Sequence, residues 1–217
     1  MMTVDEWIRI VSIFSILVPL SFGWLGWRNL DKGLRYFWVF LLFAFFVDLA
    51  IWYCLRTGNN EVASLIYSLY SLTEALVFLA FIRYSSGNLL LKRFVSLMWV
   101  LTLLHWLGLT IFSLVKPESN FLISAVFDPV YQVIAAFLAG FLLLEIVEKN
   151  AHPLQKSAFW ILLGIFFYCF CTFFILGLAN TLLGQQMWWL HNIFNITAYG
   201  LYAVGFSLVK NRQNETG

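Results

Sequence analysis

Only 11% of the residues are charged, less than half of the ~25% found in an ordinary soluble domain. The 13 Lys and Arg against 11 Asp and Glu leave a formal net charge of +2. No basic run interleaved with aromatics tracks a phosphate backbone, so nucleic acid is excluded as a partner. Cysteine is scarce as well. Cys54, Cys169 and Cys171 lie in apolar segments, at spacings that suit neither a zinc knuckle nor a disulfide framework, and they read as small core residues. Lysine is missing from the middle of every apolar run, which excludes a Schiff-base pigment. Phosphate-binding loops, heptads, low-complexity tracts and internal sequence repeats are also lacking, and no motif specifies a cofactor. A basic stretch ahead of the first apolar run is missing too. Asp5 and Glu6 stand there instead, so the first segment is expected to be a retained helix and not a cleavable signal.

What is present is apolar. The chain is 62% hydrophobic and 19% aromatic, with a mean hydropathy of +0.84. Seven apolar segments, at about 7–27, 36–55, 62–83, 94–115, 121–147, 158–182 and 188–209, each approach the ~20 residues needed to cross a ~30 Å hydrocarbon layer. Backbone polar groups in lipid must be satisfied internally, so the segments are helices. The fold expected is all-α: a single seven-helix transmembrane bundle, multi-pass in the cell membrane, with membrane lipids as its immediate partners.

Basic residues set the expected orientation. Arg28, Lys32, Arg35, Arg83, Lys92, Arg93, Lys149, Lys156, Lys210 and Arg212 flank one side, against Arg9, Arg56 and Lys116 on the other. This bias places the N-terminus outside and the C-terminus in the cytoplasm. Trp7, Trp24, Trp27, Trp38, Trp52, Trp160, Trp188 and Trp189 fall near segment ends, as an interfacial belt should. On the cytoplasmic side the sequon at Asn214 would go unused.

The polar residues inside the segments are not scattered. Segment 3 carries Ser64, Tyr67, Ser68, Ser71 and Glu74 at three- and four-residue steps, hence on one helical face, with Tyr70 near it. Segment 5 carries Asp128, Tyr131 and Gln132, then the small residues Ala135, Ala136, Ala139 and Gly140. Segment 7 carries His191, Asn195 and Tyr199, flanked by Asn192 and Tyr202; segment 2 adds Asp48 and segment 4 adds His105. Most lie at mid-membrane or in the outer half, and the inner half is nearly featureless. An ionisable group at a helix centre costs about 2.5–3.5 kcal/mol, so such groups turn inward and seek partners. Asp48, Tyr67, Tyr70, Glu74, Asp128, Tyr131, Gln132, His191, Asn192 and Asn195 are therefore expected to line one polar cavity open to the outer side. The segment 3 serines, Thr102 and Asn180 read instead as contacts between helices. Pro129 is expected to bend segment 5 and release the Ala125 carbonyl towards the site.

Two chemistries suit such a cavity. The first is binding of a small molecule or lipid, for sensing or transport, within an aromatic wall that holds a few polar groups. A sensor of this size implies a membrane or cytoplasmic partner protein for output. Pro19 and Pro129, in segments 1 and 5, occupy corresponding places in two three-helix units joined by segment 4. This outline resembles the SWEET and PQ-loop transporters, although their proline–glutamine signature is replaced by "VPLS" and "DPVYQ". The second chemistry is a metal-dependent hydrolase acting on a lipid, with Asp48, Glu74, His105, Asp128 and His191 as candidate ligands. It is similar in outline to seven-helix ceramidase-like enzymes, which place two histidines one turn apart on the last helix. Here "HNIFN" sets Asn195 at the second position.

Overall fold

The computed structural model describes residues 4–115, 123–178 and 189–211. It is all-helical, with no strand among the described residues. Seven helices are long and apolar enough to cross a membrane: Glu6–Leu25, Lys32–Arg56, Asn60–Ser85, Leu89–Val115, Ala125–Lys149, Ser157–Leu178 and Trp189–Val209. They match the seven expected segments, and the chain is a multi-pass membrane protein. Asn180, Lys116, Trp188, Arg212 and the Asn214 sequon lie outside the described residues.

The first span is broken. Helix α1 (Val4–Ser15) is separated from α2 (Leu17–Leu25) by the single residue Ile16, because Pro19 has no N–H to offer the Ser15 carbonyl. Helix α3 (Lys32–Arg56) begins at Asp31, whose carboxylate accepts from the Leu34 N–H at 2.9 Å, an N-cap. It ends where Gly58 takes φ +78°. The Asn59 N–H then reaches the Cys54 carbonyl at 2.9 Å and Gly58 that of Leu55 at 3.4 Å, a Schellman closure that suits glycine. This tight turn starts α4 (Asn60–Ser85) antiparallel to α3.

Helix α5 (Leu89–Val115) is peripheral and the least buried span. It packs on α4 through two indoles: Trp99 Nε1 donates to the Leu76 carbonyl at 3.2 Å and Trp106 Nε1 to that of Ser68 at 3.1 Å. A π turn at Ile123–Phe127 leads into α6 (Asp128–Lys149). The expected disturbance at Pro129 takes the form of this wide turn, and Pro129 itself stands in the first turn of α6, where an N–H would have no partner within the helix. Ala125 is exposed and does not line the cavity described below, so its carbonyl does not serve that cavity as expected. Helices α7 (Ser157–Leu178) and α8 (Trp189–Asn211) are the last of the described residues.

Neighbours in sequence pack together along α3–α4 and α6–α7–α8, α4 meets α6, and α1 and α2 close the ring against α8. Six spans thus enclose the core, with α5 outside. Pro19 sits deep in its span and Pro129 near the start of its own, so the two breaks do not occupy matching depths in the two halves.

The end of the bundle nearer the start of α3 and the end of α4 is filled by aromatic rings. Phe37 packs against Tyr202 at 4.9 Å and Phe81 at 5.1 Å, and Phe40 against Phe78 at 5.8 Å between centroids. Trp38, expected at the interface, is buried there, its Nε1 donating to the Leu20 carbonyl at 2.9 Å. Its indole fits because residue 23 is glycine: a Cβ on Gly23 would stand 2.2 Å from the Trp38 ring. Cys169 lies fully buried in the same core, and Cys54 and Cys171 are partly buried; all three are free thiols.

Gly164 lets α7 approach α8, since a Cβ there would meet the buried Tyr202 ring at 2.4 Å. Gly164→Ala should lower the unfolding midpoint in detergent, by an overpacking cost of about 1–3 kcal/mol. Gly108→Ala, with nothing within 4 Å of the new Cβ, should be neutral or stabilising by up to ~1 kcal/mol. Equal effects at both positions would contradict this packing.

Candidate functional site

Above the aromatic floor the bundle holds a cavity of about 110 Å³, where ~10–15 Å³ is enough for one water. Five helices supply its wall. Asp48 and Ala44 come from α3; Tyr67, Tyr70, Ser71 and Glu74 from α4; Tyr131 and Gln132 from α6; Tyr168 and Thr172 from α7; His191, Asn195 and Tyr199 from α8. Phe40, Phe78 and Tyr202 form its lower end. Lining positions run from mid-helix towards the end of α3, the start of α4, the end of α7 and the start of α8. The cavity therefore occupies the half of the bundle that contains the N-terminus.

Glu74 is the centre of the polar layer. It is 2% exposed, and Tyr131 Oη donates to its Oε1 at 2.9 Å across the α4–α6 contact. The hydroxyls of Tyr70 and Tyr168 also turn towards this carboxyl. At roughly 0.6 kcal/mol for an average polar contact between membrane helices, three such contacts fall short of the ~2.5–3.5 kcal/mol cost of a buried charge. Glu74 is a poor choice as packing glue alone. Gln132 Nε2 lies 3.5 Å from the Tyr131 hydroxyl. Gln132 Oε1 and Thr172 Oγ1, on residues 2% and 1% exposed, have no hydrogen-bond partner among the described residues.

Asp128 is organised differently. It is buried, and its carboxylate accepts from Tyr67 Oη at 2.6 Å and from Ser71 Oγ. Both donors line the cavity, and Asp128 lies behind them. The sequence-based expectation that Asp128 lines the void is corrected on this point: it begins α6, one turn before Tyr131 and Gln132, and α4 captures it there. Ser71, expected to be a mere helix contact, belongs to both structures.

His191 and Asn195 face the cavity one turn apart, with Asn195 Nδ2 3.5 Å from His191 Nε2. Asn192 does not line it, because one residue along a helix turns the side chain by ~100°. His105 is remote on the peripheral α5, where its ring lies 5.8 Å from that of Phe127. Arg9 is the cation that acts on Asp48. Of the residues expected at the site, the fold brings together Asp48, Tyr67, Tyr70, Glu74, Tyr131, Gln132, His191 and Asn195, and leaves out Asp128, Asn192 and His105. Tyr168 and Thr172 escaped the sequence reading. Their four-residue spacing marks one face of α7, but α7 is the most apolar of the spans and carries no Asp, Glu, Lys, Arg or His to draw attention to it.

No three His, Cys, Asp or Glu side chains among the described residues form a group able to hold a metal ion. No protein-family model, curated protein or solved structure matches the chain.

The Tyr67–Asp128 contact predicts a measurable coupling. Tyr67→Phe and Asp128→Asn should each destabilise the protein in detergent, and the double variant should lose less than the sum, by on the order of 0.6 kcal/mol and at most ~1.7. Strict additivity would show that the hydrogen bond contributes nothing.

Proposed function

We propose that this membrane protein binds a small polar molecule in the cavity between α3, α4, α6, α7 and α8, as the recognition step of sensing or transport. The observation that carries this reading is the pair of buried oxygens, Gln132 Oε1 and Thr172 Oγ1, without a partner among the described residues, on the wall of a void that also exposes Glu74 and Asp48. Buried polar groups are normally satisfied, and a ligand or ordered water would satisfy these. The distribution of basic residues supports an outside N-terminus, so the cavity would draw its ligand from the outer side. The aromatic floor supports a site that ends within the membrane, so a transporter would have to separate Phe37, Phe40 and Phe78 from Tyr202 to release its cargo inward. A metal-dependent lipid hydrolase lacks comparable support, since His105 and Asp128 stand away from the cavity.

The test is a thermal-stability screen of purified protein in nanodiscs with small cationic, anionic, zwitterionic and neutral solutes. At least one should raise the unfolding midpoint saturably. The shift should vanish in Ala44→Leu, which fills the cavity. A shift that survives this change, or no shift from any solute, would refute the reading.

A further inference from the structure

We propose that the cavity selects a small organic ammonium, an amine in its protonated form, held by Glu74 and enclosed by aromatic faces. This rests on the reading of the cavity as a binding site and specifies its ligand class. Three features of the wall converge on it.

The charge is one-sided. Two carboxyl groups, Glu74 and Asp48, line the void, and among the described residues no Lys or Arg does. Arg9 acts on Asp48 from outside the lining; Glu74 shares the void with the imidazole of His191 but, among the described residues, with no Lys or Arg. An anionic ligand would meet like charge here, at short range and low dielectric. A cation would supply the missing charge.

Two buried wall atoms without a partner among the described residues, Gln132 Oε1 and Thr172 Oγ1, can both accept a hydrogen bond, and the first accepts only. An alkylammonium offers up to three N–H donors, enough for Glu74, Gln132 and Thr172 together. A carboxylate or phosphate ligand would leave the Gln132 carbonyl unsatisfied.

The remainder of the wall is aromatic. Tyr70 stacks on Phe40 with centroids 6.3 Å apart, Tyr168 stands edge-on to Phe78 at 6.2 Å, and Tyr199 lies 6.2 Å from Tyr202. Ring faces attract ammonium groups, and several rings around a carboxylate form the usual cage for alkylated amines. They favour an organic cation over a bare metal ion, which would need a shell of oxygens. The volume of about 110 Å³ limits the ligand to a small amine.

The test uses n-propylammonium, with 1-propanol as the neutral probe of matching size, acetate as the anionic one, and sodium as the bare cation. Binding to wild-type protein in nanodiscs is read as saturable thermal stabilisation. Propylammonium should bind at least tenfold more tightly than each of the others, Glu74→Gln should weaken it at least tenfold, and Ala44→Leu should abolish it. If propanol, acetate or sodium binds as well and Ala44→Leu blocks it, the ammonium assignment falls while the cavity remains a binding site. If propylammonium binds equally to wild type and Ala44→Leu, or no probe binds, the assignment also falls. The wild-type comparison decides the matter even if Glu74→Gln does not fold.

Discussion

The hydrogen bond from Tyr131 to the buried carboxyl of Glu74 is the contact on which the architecture turns. It joins α4 to α6, and therefore the first three spans to the last three, at a depth where water is scarce and a lone carboxyl is costly. One turn away the Asp128 carboxylate makes a second clasp between the same helices through Tyr67 and Ser71. The two acids divide the work. Asp128 has both oxygens engaged by neighbours and acts as a structural tie, whereas Glu74 opens onto the cavity with Gln132 and Thr172 beside it.

That division accounts for the contrast between the two halves of the bundle. In one half, polar side chains from five helices hold the walls apart and leave space between them. In the other, Phe37, Phe40, Phe78, Phe81 and Tyr202 interlock, and Gly23 and Gly164 give up their side chains so that Trp38 and Tyr202 can fit. Lipid provides little drive for apolar helices to associate, so close packing and internal polar contacts must hold them together. The lower half relies on the first, the upper half on the second.

Much of this was legible in the sequence. Hydropathy located all seven spans to within a few residues, because lipid imposes length and composition on every crossing. The three- and four-residue spacing of Tyr67, Ser71 and Glu74 fixed the inward face of α4. Three things were harder to see. Periodicity gives a face but not a partner, so nothing local distinguished Asp128, which is capped by α4, from Glu74, which lines the void. Nor did it show that α5 lies outside the ring and takes His105 with it. Asn192 was grouped with its neighbours by proximity in sequence, although the helical turn carries it off the cavity face. Tyr168 and Thr172 are uncharged, and their contribution emerged only once α7 was packed against α6 and α8.

The central claim is that a polar cavity lies in the half of the bundle that contains the N-terminus and is reached from that side. Its most direct test is the labelling of a single cysteine at Thr172 in a background with Cys54, Cys169 and Cys171 replaced by alanine, using a small membrane-impermeant thiol reagent on sealed vesicles of defined orientation. The account predicts modification when the reagent is applied on the side of the N-terminus and protection when it is applied on the side of the C-terminus. Modification only from the C-terminal side, or from neither side, would contradict it.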